Sequence, residues 1–239
     1  MAGTTAFFNP ETPFDGGELN GWEVTSVSDT TSRQRAQALG SGGDEIASRT
    51  SGEKEELSVE YVCTAADAAI PGVGIVAAAA GTSVLPWHID GVAVRWTQND
   101  FVRMTLTMHR HGTTSHTVGS CRTYASPLGT VGVLFGCPAT PAGFTIPQGA
   151  GVRSCSLNIA LHHVDEPNGT GDFLAGDNYD GHATAEVELC DTGTITAASG
   201  WTLMQDADSK GNTVAESKTA TAEIHIAHAS TAATLSFAA

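Results

Sequence analysis

Nine histidines are the side chains in this sequence best suited to chemistry. A neutral imidazole serves both as a general base and as the commonest ligand of transition metals. The histidines come in close pairs. His109 and His111 lie two apart and share one face of a strand. His162 and His163 precede Asp165, and His225 and His228 are three apart, which on a strand points them to opposite faces. A zinc site needs three or four converging ligands, and pairs alone do not build one. The histidines are therefore read as strand-surface residues, and no metal or cofactor ligand is assigned.

Acidic residues offer two further chemistries. The stretch Asp172-Phe173-Leu174-Ala175-Gly176-Asp177-Asn178-Tyr179-Asp180-Gly181 is oxygen-rich, as calcium loops are, but its spacing departs from the EF-hand pattern. It reads as part of a turn-rich acidic loop over residues 165–181. Glu186 and Glu188 project from one strand face, and paired carboxylates can support glycoside hydrolysis, yet nothing around them builds a sugar cleft. No Gly-x-Ser-x-Gly elbow occurs, and no cysteine stands in a catalytic context. Gly72-Val73-Gly74 lacks the third glycine of a nucleotide-binding loop. No catalytic residue is assigned, and an enzyme is not expected.

Charge narrows the partners. The chain has 26 acids against 11 Lys and Arg, a formal net charge of −15, and binding to nucleic acid phosphate needs the opposite balance. Between Arg153 and Lys210 no Lys or Arg occurs, while Asp165, Glu166, Asp172, Asp177, Glu186 and Glu188 all fall there. This interval is a surface that solvates the protein or repels a polyanion. The five cysteines are odd in number and without metal-ligand spacing, which favours reduced thiols in a protein made in a cytoplasm. No signal peptide is visible at the N-terminus, and the run from Ile75 to Ala80 is too short to span a bilayer, so no membrane partner is expected.

These residues must sit on strands. Alternating apolar patterns run through Leu57, Val59, Tyr61 and Cys63, through Val102, Met104, Leu106 and Met108, and through Cys155, Leu157, Ile159 and Leu161. Thr64 to Ala69 reads as a short helix stopped by Pro71-Gly72, Ile75 to Ala80 as a buried helix or strand, Leu85 to His88 as a loop, and Val131 to Phe135 as strand-like. One unit occurs twice. Gly21-Trp22 leads through Gly43-Asp44-Glu45-Ile46-Ala47 to the strand at Leu57–Tyr61, and Gly200-Trp201 leads through Gly211-Asn212-Thr213-Val214-Ala215 to Ile224-His225-Ile226. The first copy has the longer tip, residues 28–44, which reads as a hairpin end or mobile loop. The expected fold class is all-β with minor α: a β-sandwich or open barrel, with a long hairpin loop and extended arms. Residues 1–20 form an N-terminal arm, 21–229 the body, with two possible quasi-repeats (21–115 and 116–229), and 230–239 a C-terminal arm.

The layout Trp22-x-Val24, Gly43-Asp44-Glu45-Ile46-Ala47, then the alternating strand to Tyr61 resembles the start of phage tail tube (major tail) proteins, and Trp201 to Ile226 resembles the same element again. The resemblance covers roughly a quarter of the chain and has no invariant signature. It implies a β-sandwich or barrel subunit that self-assembles into stacked rings around a DNA-conducting channel. The homo-oligomer would be joined to other tail or virion proteins, with DNA passing without specific binding. The protein would be localised in the virion, after assembly in the host cytoplasm. Some members of that family carry a duplicated fold, so that trimers imitate hexamers. Under this reading Phe7, Phe8, Arg33 and Arg35 contact neighbouring subunits, and Asp165, Glu166, Asp172, Asp177, Glu186 and Glu188 line an acidic lumen. Two alternatives remain: another virion component, such as a capsid decoration or baseplate protein, and a carbohydrate-binding β-sandwich using Trp87, Trp96 and Tyr179.

Overall fold

Residues two apart on each long strand supply one buried face, and that periodicity decides the architecture. The computed structural model describes residues 19–39, 41–74, 76–78, 87–111, 122–167, 169, 173–190, 193–210, 216–229 and 234–236. In chain order the strands are β1 (Trp22–Leu39), β2 (Glu45–Cys63), β3 (Val76–Ala78), β4 (Trp87–Thr97), β5 (Arg103–His111), β6 (Thr123–Tyr124) and β7 (Phe144–Thr145). They continue with β8 (Val152–Pro167), β9 (Phe173–Leu189), β10 (Thr196–Ala197), β11 (Thr202–Lys210), β12 (Glu216–His225), β13 (His228–Ala229) and β14 (Thr234–Ser236). The protein is all-β, with no helix among the described residues. The minor helix expected at Thr64 to Ala69 is a turn, closed by Ala68 N–H donating to the Ala65 carbonyl at 3.0 Å. Val131 to Phe135 makes only an isolated bridge, from Phe135 to Phe101. Trp87 and His88, read as loop, open β4.

The main sheet has the path β1-β2-β5-β4-β8-β9-β12-β11, and β14 and β3 attach to it beside β4. One face is the core. Leu57, Val59, Met104, Leu106, Val92, Val94, Leu157, Ile159, Ala185 and Val187 are almost wholly excluded from water. Each large aliphatic side chain so buried contributes about 1.5–3 kcal/mol. Mostly irregular chain covers this face. Ile70, Val73, Tyr124, Val131, Phe144 and Ile195 belong to the same cluster. The indole N–H groups of Trp22 and Trp96 donate to the carbonyls of Ala69 and Val131 at 2.9 and 3.2 Å, which ties the cover to the sheet and satisfies two buried donors. The opposite face, with Thr105, Ala93, Ser156, Asn158, Thr184 and Thr221, is open.

The pairing pattern is two-fold symmetric. Read from either edge, the path meets a Gly-Trp strand, its hairpin partner, then a second hairpin, and the two sides meet at the Val94–Leu157 pair. Gly21 and Gly200 both adopt left-handed φ, +81° and +85°, as glycine does without the Cβ clash. Trp22 N–H and Trp201 N–H both donate three residues back, to Leu19 and Ala198. Register shifts recur at matching sites, Val24/Ser26 with Leu203/Gln205 and Ile89/Gly91 with Val152/Ser154.

Two hairpins outrun the sheet at the same end. The β2–β5 ladder stops at Lys54 opposite His111, while β1–β2 pairing continues from there to Leu39 opposite Glu45. Residues 28–44 are thus mostly strand, a two-stranded ribbon and not a loose tip. Likewise β12 leaves β9 at His182, and β8–β9 pairing continues to Pro167 opposite Phe173. The acidic stretch at 165–181, expected as a loop, is largely this second ribbon. At the C-terminus, Thr234–Ser236 pairs in parallel with β3 of its own chain, so that part of the expected arm is an added strand.

Candidate functional site

Between the roots of the two ribbons lies a knot of imidazoles. β5 brings His109 and His111 on its non-core face, opposite Met104, Leu106 and Met108. β4 brings His88 directly across from His109, followed by the bulged Asp90. The β4–β8 ladder ends at Gly91 opposite Ala160, and β3 takes over beside β4 at His88. The sheet forks there, and β8 sends His163 and Asp165 across the fork. The ring centroids of His109 and His163 lie 4.4 Å apart, those of His109 and His111 5.5 Å, and His88 stacks on His109 at 5.4 Å.

Hydrogen bonds fix the tautomers. His109 Nδ1–H donates to both carboxylate oxygens of Asp90, at 2.7 and 2.8 Å. His109 is 1% exposed, and its Nε2 has no hydrogen-bond partner. The Asn178 amide nitrogen donates to the Arg122 carbonyl at 3.1 Å, so its oxygen must face His163, whose Nδ1–H donates to it at 2.6 Å. His163 Nε2 then meets Asp165 Oδ1 at 2.6 Å, and His111 Nε2 meets the same oxygen at 3.1 Å. Acceptors at both nitrogens favour the doubly protonated form of His163. Burial alone lowers its pKa, but the bonds to Asp165 and Asn178 outweigh burial and leave it raised. Burial likewise favours protonated Asp165, and His111 and His163 overcome this, holding its carboxyl well below the usual carboxylate range.

One position shows how closely the site is shaped. A Cβ built on Gly176, which lies across from Asp165, would stand 2.8 Å from His163 Cε1 and 2.9 Å from Nε2. Only glycine leaves the ring where it is.

The reading of His109 and His111 as surface residues is therefore corrected: both are buried, and they join His163 and Asp165 in one constellation. Pairwise inspection missed it because its members lie on two strands far apart in the sequence, β5 and β8. A signal was present. His88-x-Asp90, His109-x-His111 and His163-x-Asp165 each place two ligand-type side chains on one strand face. Asp165, expected to line a lumen, belongs to this cluster, where its Oδ1 meets both His111 and His163. Glu166 and Asp177 are exposed on the β8–β9 ribbon, Asp177 lying 3.8 Å from Arg122. Glu186 and Glu188 are on the open sheet face, where Glu188 accepts hydrogen bonds from Arg153 and Ser154 at 3.3 and 3.4 Å. Arg33 and Arg35 lie exposed on the β1–β2 ribbon, in ion pairs with Glu53 and Glu45, each at 2.9 Å. Phe7, Phe8 and Asp172 lie outside the described residues.

The three aromatics named for a sugar platform are placed differently from one another. Trp96 and Trp87 are buried, Trp87 beneath the Arg110 guanidinium at 4.4 Å, and only Tyr179 is exposed, stacked on His162. The local two-fold places Cys190 where His109 stands and Arg153 where Asp90 stands, and there Arg153 donates to the Cys190 sulfur at 2.9 Å. The imidazole knot is thus confined to one end. No family model and no curated protein matches the chain.

Proposed function

We propose that the protein is a virion structural subunit of the tail-tube kind, which assembles head to tail into rings and stacks through its ribbons. The observation that carries this reading is the pair of sheet edges, β1 and β11, left open among the described residues. The path contains eight strands joined by antiparallel pairs throughout, so β1 and β11 run in opposite directions. β11 of one copy can therefore pair antiparallel with β1 of the next, and the alternation continues around a ring. An edge strand of 18 residues with no outer partner among the described residues is a standing template for such pairing.

The ribbons support the same reading. Beyond Lys54 the β1–β2 ribbon has no third strand among the described residues, and both its faces meet solvent. Two-stranded ribbons are marginal alone in water, and exposed ion pairs such as Arg33–Glu53 add little. Yet its end displays Leu39 and Ile46, 61% and 70% exposed, and the second ribbon displays Leu174 at 66%. Apolar ends on polar stems, projecting from one end of the sheet, fit contacts with a neighbouring ring. The net charge of −15 suits a conduit that DNA must traverse without being held.

Light scattering on the purified full chain over rising concentration tests the reading. The expected mass is a fixed multiple of 24.6 kDa. A chain that stays at that single mass at every concentration, with and without its tail partners, contradicts it.

A further inference from the structure

We propose that His109, His111, His163 and Asp165 bind one divalent transition-metal ion, zinc by the chemistry of the ligands, which staples the roots of the two ribbons together. One ligand atom from each residue lies within 4.8 Å of all the others. A tetrahedron with bonds of about 2.0–2.1 Å has edges of roughly 3.3 Å, so small side-chain movements close the set around an ion.

Three features make this a built site. His109 Nδ1 is committed to Asp90, which leaves a buried Nε2 without a hydrogen-bond partner; a carboxylate behind an imidazole is the usual support for a metal-bound histidine. His163 Nδ1 is committed in the same way to Asn178, itself oriented by the Arg122 carbonyl. Finally, His111 and His163 both direct Nε2 at Asp165 Oδ1, so that shared protons occupy the space a cation would take. When the ion enters, His163 releases its Nε2 proton to solvent and His111 exchanges its Nε2 proton for one on Nδ1, so both rings are neutral and each Nε2 lone pair passes to the metal. The two charges of the ion are then balanced by Asp165 in contact and Asp90 behind His109.

Three imidazole nitrogens and one carboxylate oxygen suit zinc, or cobalt as a probe. They do not suit magnesium or calcium, which require mostly oxygen ligands. Four protein ligands leave no open position, as in structural zinc sites. Asp165, with its side chain 33% exposed, gives the ion a path from solvent. His109 and His111 come from one side of the two-fold and His163 and Asp165 from the other, so the ion cross-links the two halves of the sheet.

The test is a titration of the full chain, stripped with a chelator, with Co(II) and with Zn(II), read by calorimetry and by the visible absorption of tetrahedral Co(II). One ion per chain is expected, with a rise in melting temperature on adding Zn(II). Asp165→Asn, isosteric and half-exposed, abolishes the tetrahedral spectrum and the thermal shift. Asp90→Asn, whose residue touches no metal, weakens binding by about 10- to 100-fold while the circular dichroism stays that of the native chain. The proposal is overturned if the stripped, folded chain binds neither ion, or if Asp165→Asn binds both as the native chain does. These readouts do not depend on whether the chain forms rings.

Discussion

At the scale of single residues, the two-fold pairing pattern sets up paired comparisons within one molecule. Trp22 and Trp201 follow left-handed glycines and receive the same turn, but Trp22 is 2% exposed and donates its indole N–H to Ala69, whereas Trp201 is only partly buried. Trp22→Ala removes a filled core position and should cost roughly 3–5 kcal/mol, while Trp201→Ala should cost clearly less. Urea midpoints of the two variants check the order, and equal losses would show that the two sites are loaded alike. Gly176 gives a second test. A methyl there meets the His163 ring head-on, so Gly176→Ala should weaken Co(II) binding and lower the melting temperature, although no ligand is altered. Unchanged cobalt affinity would mean that the ring has room to move.

At the scale of elements, the β1–β2 ribbon is the part that can be removed cleanly. Ser32 pairs with Lys54 at its root. Replacing residues 33–53 by Asn-Gly, which favours a tight hairpin turn, should leave the core strands intact and abolish stacking of rings. Circular dichroism and electron microscopy of the variant read the two effects separately, and normal stacked tubes would remove the ribbon from the account. The same element shows what a sequence reveals. Strands with one buried face were readable, because Leu57, Val59 and Tyr61, or Met104, Leu106 and Met108, alternate with polar residues. The outer ribbon was not, because both its faces are exposed and no alternation of apolar and polar residues runs through Arg33-Gln34-Arg35-Ala36-Gln37. The site was hidden for a different reason. His111 and Asp165 lie 54 residues apart, and they meet only because β4 pairs with β8 and the sheet then forks. Moreover, the imidazoles occupy the non-core face, where polar residues are expected to meet solvent. The helix expected at Thr64–Ala69 failed because that segment crosses the core face and bonds outward, through the Ala69–Thr130 bridge and the Ala68 carbonyl accepting from Val131 N–H at 3.1 Å.

At the scale of the whole molecule, the two-fold sheet order bears on how rings can close. A duplicated subunit whose trimers imitate hexamers repeats its halves in the same direction around the ring axis. Here the halves face each other across the Val94–Leu157 pair, so the chain itself is the repeating unit, with β1 at one edge and β11 at the other. In the proposed ring, closure would depend on one kind of contact between copies, and the ribbons, rooted beside the imidazole cluster, would govern what stacks above. Imaging the purified full chain by electron microscopy at high concentration tests this most directly. The account predicts closed rings in which each chain contributes one continuous run of strands joined at β1 and β11, with ribbons projecting from one rim. Isolated single chains, or oligomers that leave β1 and β11 unpaired, would contradict it.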